Sequence, residues 1–82
     1  MKYEVFKFET DTDDAEKTKI GIKVTDDNGK EFYVDKSITT GSKSDSALME
    51  EAHTAIESDV AEWQASQLNI GKIWNEDTKS WE

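Results

Sequence analysis

The sequence contains no cysteine, no proline and no arginine. Without cysteine it can form neither disulfides nor thiolate metal sites, and it has no cysteine nucleophile. Because all ten basic residues are lysine, the bidentate contacts that arginine makes with phosphate and guanine are missing. Together with a formal net charge of -9, this argues against direct binding to nucleic acid or to an anionic membrane surface.

Apolar residues are also scarce. Leu, Ile, Val and Phe make up only 15 of the 82 residues, which for so acidic a chain is in the range typical of disorder. Three Trp, two Tyr and regular apolar periodicities favour a folded chain instead. We therefore expect one small domain over residues 1–82 with modest stability. The scarcity of apolar residues also makes a homodimer a reasonable hypothesis.

No apolar run is long enough for a secretory signal or a membrane span, and the chain starts with MKYEVFKFETD. We therefore expect the protein inside a cell, such as a host cytoplasm, or in a virion, without membrane contact.

The first 36 residues predict three β-strands. KYEVFKF is rich in aromatic and β-branched residues, as strands are. Its alternation is irregular, with Tyr3 and Val5 on one face and Phe6 and Phe8 on the other. Either both faces are partly covered or a bulge lies near Val5. A polar loop follows and ends near Lys19.

KIGIKVTDDNGKEFYVDK predicts a β-hairpin. Pairing Val24 with Phe32 and Ile22 with Val34 keeps the apolar side chains on one face. This register leaves a three-residue loop ending at Gly29, where the left-handed conformation is needed. A two-residue Asn-Gly turn would instead turn Phe32 outward, so the apolar pattern favours the longer loop.

Residues 44–67 predict one long amphipathic helix. Ser44 or Asp45 is the expected N-cap, and the helix should end near Leu68, with Gly71 close behind. Apolar residues at spacings of three and four form one stripe: Leu48, Ala52, Ile56, Val60 and Trp63. The predicted fold class is therefore α+β: a three-stranded antiparallel sheet, packed by the helix from Ser44 to Gln67, with a short C-terminal β-hairpin.

The hairpin prediction depends on the segment WNEDTKSW, which places Trp74 opposite Trp81 across a four-residue loop. We expect the two indoles to stack and the hairpin to lean on the sheet or on Trp63. The segment resembles the C-terminal hairpin of the immunoglobulin-binding domain of protein G, YDDATKTF. That resemblance implies a loop geometry and no function, because the order of elements differs.

The longer ending, IGKIWNEDTKSWE, is similar to the tails of short, uncharacterised bacteriophage-encoded proteins. This resemblance implies a virion accessory protein or a host-takeover protein.

Candidate metal and phosphate sites fail on spacing. Asp11 and Asp13 match the first two ligands of an EF-hand loop, but Glu16 replaces its glycine and Ile22 its bidentate acid. The segment TTGSKSDS lacks the spacing of a phosphate-binding loop.

The single histidine offers no better site. His53 has Glu50 and Glu57 on its own helical face, without the second carboxylate–histidine set of a di-metal centre. It is also a poor activating base for a serine nucleophile. We expect no metal, no cofactor, no catalytic residue and no enzymatic activity.

Two hypotheses of function remain. The first is a non-enzymatic interaction or structural protein with a protein partner, bound through Trp63, Trp74 and Trp81. The second is an acidic mimic of nucleic acid that inhibits a DNA-binding protein. Its phosphate-like groups would be the helix carboxylates, namely Glu50, Glu51, Glu57, Asp59 and Glu62.

Overall fold

A computed structural model describes all residues from 1 to 82. Its N-terminal half is an antiparallel sheet in the order β1-β2-β3. The strands are β1 (Lys2–Thr10), β2 (Lys17–Thr25) and β3 (Glu31–Thr39). The central strand β2 is the most buried, because its alternating isoleucines and valine point towards the helices. The predicted three-stranded antiparallel sheet is confirmed.

The β2–β3 hairpin has the predicted register. Val24 pairs with Phe32 and Ile22 with Val34, which places the apolar side chains of both strands on one face. Gly29 has a φ of 81°, as the last residue of the three-residue loop requires. Apolar alternation and turn chemistry point to the same register, so both predictions are confirmed.

A β-bulge interrupts β1 between Val5 and Lys7. The extra residue, Phe6, lies over Gly21 on the face of the sheet away from the helices, which we call the outer face. A Cβ at Gly21 would lie only 2.6 Å from Phe6 Cζ, so the glycine leaves space for the ring. Phe6 also meets Tyr33 edge to face, with ring centroids 5.5 Å apart.

The bulge corrects one predicted orientation. Phe8 pairs with Ile20, and Tyr3 pairs with Val24, so both aromatic residues lie on the helix side of the sheet. The prediction that Phe8 shares a face with Phe6 is therefore wrong, because the extra residue inverts the alternation of every later side chain in β1.

Two consecutive helices replace the single long helix that was predicted: α1 (Asp45–Ala55) and α2 (Glu57–Gln67). They meet at Ile56, whose ψ of -2° departs from the helical value of about -42°. The Ile56 side chain is only 1% exposed, so the interruption occurs where the chain inserts a branched side chain into the core. The predicted N-cap is confirmed, since Ser44 Oγ accepts a hydrogen bond from the Ala47 N–H at 3.2 Å.

The core lies between the helices and strands β2 and β3. Trp63 flanks it and stacks on Phe32, with centroids 5.3 Å apart and planes within 11°. The core consists of Ile20, Ile22, Val24, Ile38, Leu48, Ala52, Ile56 and Val60. The helices contact β2 and β3 but leave much of β1 uncovered. The helix-side residues of β1, namely Tyr3, Val5 and Phe8, therefore remain about two-fifths exposed.

The C-terminal hairpin, β4 (Trp74–Asn75) and β5 (Ser80–Trp81), forms a separate two-stranded sheet. The molecule is 60 Å long and has a radius of gyration of 17.3 Å, whereas a compact chain of this length would have about 12 Å. Nine-residue strands and the two helices span only about 30 Å. The C-terminal segment therefore extends well beyond the sheet. Neither helix has the length and hydropathy needed to cross a membrane.

Candidate protein-interaction surface

The C-terminal hairpin has the predicted pairing. Trp74 lies opposite Trp81, and Asn75 lies opposite Ser80. Backbone hydrogen bonds of 2.8 and 2.9 Å between Ile73 and Glu82 extend the pair by one residue. The strands are short, so the loop chemistry must supply much of the local order.

Asn75 organises the four-residue loop. Its Oδ1 accepts hydrogen bonds from the backbone N–H of Asp77 at 2.8 Å and of Thr78 at 3.3 Å. This is the turn-forming role that an asparagine side chain commonly performs. Lys79 closes the loop with a φ of 55°, and its Nζ lies 3.0 Å from Glu76 Oε2.

The two indoles of the hairpin meet edge to face rather than stacked. Their centroids lie 5.5 Å apart and their planes are 67° apart, so the prediction of a stacked pair is wrong. The partial positive charge at the edge of one ring is attracted to the partial negative charge on the face of the other, which favours this arrangement. Trp74 Nε1 also donates to Glu76 Oε1 at 3.0 Å, which fixes the orientation of that indole.

The expected support from Trp63 is absent. The Trp63 indole stacks on Phe32 at the edge of the core, whereas the rings of Trp74 and Trp81 contact each other. Trp81 is 63% exposed as a result. The three tryptophans therefore do not form one site: Trp63 is part of the packing, and Trp74 and Trp81 form a separate pair.

Three apolar residues that the sequence analysis did not select accompany this pair. Leu68, Ile70 and Ile73 lie between α2 and the hairpin and are largely exposed. An open depression of about 300 Å³ lies between Asn69, Lys72 and Trp81. We call Leu68, Ile70, Ile73, Trp74 and Trp81 the C-terminal apolar cluster. Five large apolar residues lie within residues 68–81 of a chain that has few of them, and this feature of the sequence could have predicted the surface.

The acidic helix surface is interrupted by lysines. Lys43 Nζ lies 2.6 Å from Glu51 Oε2. Lys36 Nζ lies 2.9 Å from Asp59 Oδ2, as an ion pair without hydrogen-bond alignment, and Asp59 is half-buried beside the sheet. The remaining three carboxylates of the predicted mimic face, Glu50, Glu57 and Glu62, are exposed. A lysine thus partly neutralises two of the five groups.

His53 lies at the flank of α1 that faces β1. Its ring meets Tyr3 edge to face, with centroids 4.6 Å apart. No group of three or more histidine, aspartate or glutamate side chains is placed so that it could hold a metal ion. The histidine therefore helps to cover the end of β1.

Asp11 is the one buried carboxylate. Its Oδ2 accepts a hydrogen bond from the Ser37 hydroxyl, and its Oδ1 accepts one from the Asp13 N–H at 2.8 Å. These bonds, that of Ser37 foremost, hold the pKa of Asp11 below its ordinary value, and the charge of Lys19 adds to the effect. The side chain ties the β1–β2 loop to β3, which is a structural role.

No protein-family model, curated protein or solved structure matches this chain. The assignment of a function therefore depends on the surface chemistry and on the short C-terminal resemblance.

Proposed function

We propose that this protein is a non-catalytic interaction protein that binds a protein partner through its C-terminal apolar cluster. The supporting observation is the concentration of large exposed apolar side chains on a segment that extends away from the core. A concentration of exposed apolar side chains on a small protein often marks a binding site. The partner that fits is a protein with an apolar cleft wide enough for an indole.

Trp81 is the expected anchor of this interaction. Tryptophan is enriched among the residues that dominate binding energy at interfaces, and the Trp81 side chain is 63% exposed. The paired geometry with Trp74 limits the rotamer freedom that binding would otherwise remove. The hairpin therefore presents the indole in a partly preorganised form.

The biological setting is supported by the resemblance of residues 70–82 to the C-terminal ends of short bacteriophage-encoded proteins. Within this proposal, the protein acts as a virion accessory or host-takeover protein, and the hairpin holds it to a structural or host component.

The test is affinity capture from the natural host extract, followed by calorimetry with the purified captured protein. Trp81→Ala should weaken binding by roughly 30-fold or more, since an anchor contributes about 2 kcal/mol or more. Tyr33→Ala is the matched control, because Tyr33 is an exposed aromatic on the sheet, and it should leave the affinity within about twofold. Unchanged affinity in Trp81→Ala would refute the proposal.

The nucleic-acid mimic remains the second hypothesis, and it predicts the opposite pattern. Exposed charge pairs are screened by salt, so a complex held by Glu50, Glu57 and Glu62 should dissociate when salt rises from about 0.1 M to about 1 M. Replacing these three residues with Gln should then abolish binding, while Trp81→Ala should not. A complex held by apolar contacts should tolerate the same salt increase.

A further inference from the structure

Strand β1 is an uncovered edge of the sheet. It pairs with β2 on one side only, so half of its backbone N–H and C=O groups have no partner strand. Its helix-side residues Tyr3, Val5 and Phe8 are also about two-fifths exposed, because the helices lie over the other two strands. The unpaired backbone groups of this edge can accept another strand, provided that its bulge and its charged side chains are matched by the partner.

The outer face of β1 carries charges in strict alternation. Lys2, Glu4, Lys7 and Glu9 pair with Thr25, Lys23, Gly21 and Lys19, which are alternate residues of β2, so all four charges lie on one face. Without the bulge, the last two would point to the helix side. The order along the strand is therefore positive, negative, positive, negative.

This order is self-complementary in an antiparallel pair. Lys2 comes to lie opposite Glu9 of a second copy, and Glu4 comes to lie opposite Lys7 of that copy. Opposite charges at facing positions stabilise a strand pair, and like charges destabilise it. A shift of two residues in either direction places Lys2 opposite Lys7, or Glu4 opposite Glu9. The charges therefore favour this register over those shifted by two residues, and it is the register that pairs all four charges of each strand with an opposite charge.

The same register matches the helix-side face. It places Tyr3 of each copy opposite Phe8 of the other. The two Val5 side chains lie between these two aromatic pairs. Aromatic cross-strand pairs are among the favourable ones. The pairing would cover three apolar side chains of each copy that the fold leaves exposed.

The opposite edge of the sheet does not have this property. On the outer face of β3 the only charged residues are Glu31 and Asp35, both negative. Antiparallel pairing of β3 with itself is repulsive in the registers that place Asp35 opposite Glu31 or opposite itself, and no register gives an attractive charge pair. Strand β3 thus offers no attractive charge pair to a second copy, whereas β1 does.

We propose that β1 binds β1 of a second copy of this chain, antiparallel across a two-fold axis between Val5 and Phe6, to form a continuous six-stranded sheet. Within one chain Glu4 already lies 3.4 Å from Lys2 and 3.8 Å from Lys23, whereas Lys7 and Glu9 form no ion pair. Solvent-exposed ion pairs contribute little free energy, so these intramolecular pairs do not prevent Lys2 and Glu4 from pairing with the second copy. The C-terminal apolar cluster takes no part, and the pairing holds or fails independently of the proposed function.

Sedimentation equilibrium of the full chain, from micromolar to millimolar concentration, tests this pairing. The wild type should dimerise. Lys7→Glu and Glu4→Lys each turn two attractive pairs into repulsive ones, and each should weaken self-association by roughly tenfold or more. Lys72→Glu is the control, because it makes the same charge change as Lys7→Glu on the exposed segment after α2 and should leave the dimer intact.

Mixing the two β1 variants gives the sharpest result. In a mixed pair, the two substituted side chains face each other with opposite charges, and the native Lys7 of one chain faces the native Glu4 of the other. The heterodimer therefore regains every attraction. An equimolar mixture of Lys7→Glu and Glu4→Lys should dimerise as the wild type does, although neither variant does so alone. A folding defect in either variant could not produce this recovery.

Isotope-filtered contacts between the Tyr3 and Phe8 rings of different copies should confirm the register in the wild-type dimer. The proposal is overturned if the wild type stays monomeric at millimolar concentration, or if charge reversal leaves the dimer unchanged. It is equally overturned by a dimer that Trp81→Ala abolishes, because the hairpin would then be the contact.

Discussion

Ile56 is the residue whose truncation most directly tests the packing of the helices on the sheet. It lies between α1 and α2, and its side chain is 1% exposed within the core. Ile56→Ala removes three carbon atoms, which at about 0.8 kcal/mol per buried methylene is about 2.4 kcal/mol. The cavity left behind raises the expected loss in the free energy of unfolding to about 2–5 kcal/mol.

That loss is large for so small a core. A chain of this length has a total free energy of unfolding of about 4–12 kcal/mol, and only eight buried apolar residues form the core. We expect Ile56→Ala to remove about a sixth or more of that stability and to lower the urea midpoint in proportion.

Ile73→Ala is the matched control for this measurement. It is the same chemical change at a site that is 73% exposed, so the free energy of unfolding should change by less than about 0.5 kcal/mol. Both variants would be unfolded in urea and followed by far-ultraviolet circular dichroism, which reports the helices. Equal effects of the two substitutions, or a loss below about 1 kcal/mol in Ile56→Ala, would refute the packing described above.

Three further predictions concern the sheet. Gly29→Ala should cost about 1–2 kcal/mol of unfolding free energy in urea, because a side chain is strained at a φ of 81°. Gly21→Ala should displace the Phe6 ring, and its cost should shrink when Phe6→Ala is also present, so that a double-mutant cycle is non-additive. The lowered pKa of Asp11 means that the carboxylate stabilises the fold above its unfolded pKa and loses that effect as pH falls through the lower folded pKa. The stability difference between wild type and Asp11→Asn, measured in urea at a series of acidic pH values, should therefore shrink as pH falls; a constant difference would contradict the assignment.

Local sequence patterns were sufficient to predict the parts of the fold that depend on residues close to one another in the sequence. The β2–β3 register follows from side-chain alternation and from the one glycine that suits its loop. The N-cap at Ser44 and the pairing of Trp74 with Trp81 likewise depend on residues within a few positions of one another. Each of these predictions combined a periodicity with a specific turn or cap residue.

Features set by distant contacts were not predictable in the same way. The interruption at Ile56 depends on how the helices follow the sheet, and no proline or glycine there marks it. The orientation of Phe8 depends on where the bulge falls, which the space above Gly21 in another strand helps to fix. The sequence predicted only part of the candidate surface, namely Trp74 and Trp81. Ile70 and Ile73 are exposed because the C-terminal segment does not pack on the sheet, and the local sequence does not show this.

The two proposed contacts use different parts of the molecule, so both can form at the same time. α2 ends beside the β2–β3 loop, where Lys30 Nζ lies 3.5 Å from Gln67 Oε1, and this is the end of the sheet at which β1 begins. An antiparallel β1 pair therefore directs the two C-terminal hairpins away from each other, at opposite ends of the dimer. A partner that repeats in an array could engage both hairpins, and the second contact would then form at the high effective concentration set by the first. The dimer should consequently bind a repetitive partner more tightly than a single copy of it, and Lys7→Glu should remove that gain while leaving the affinity for a single copy unchanged.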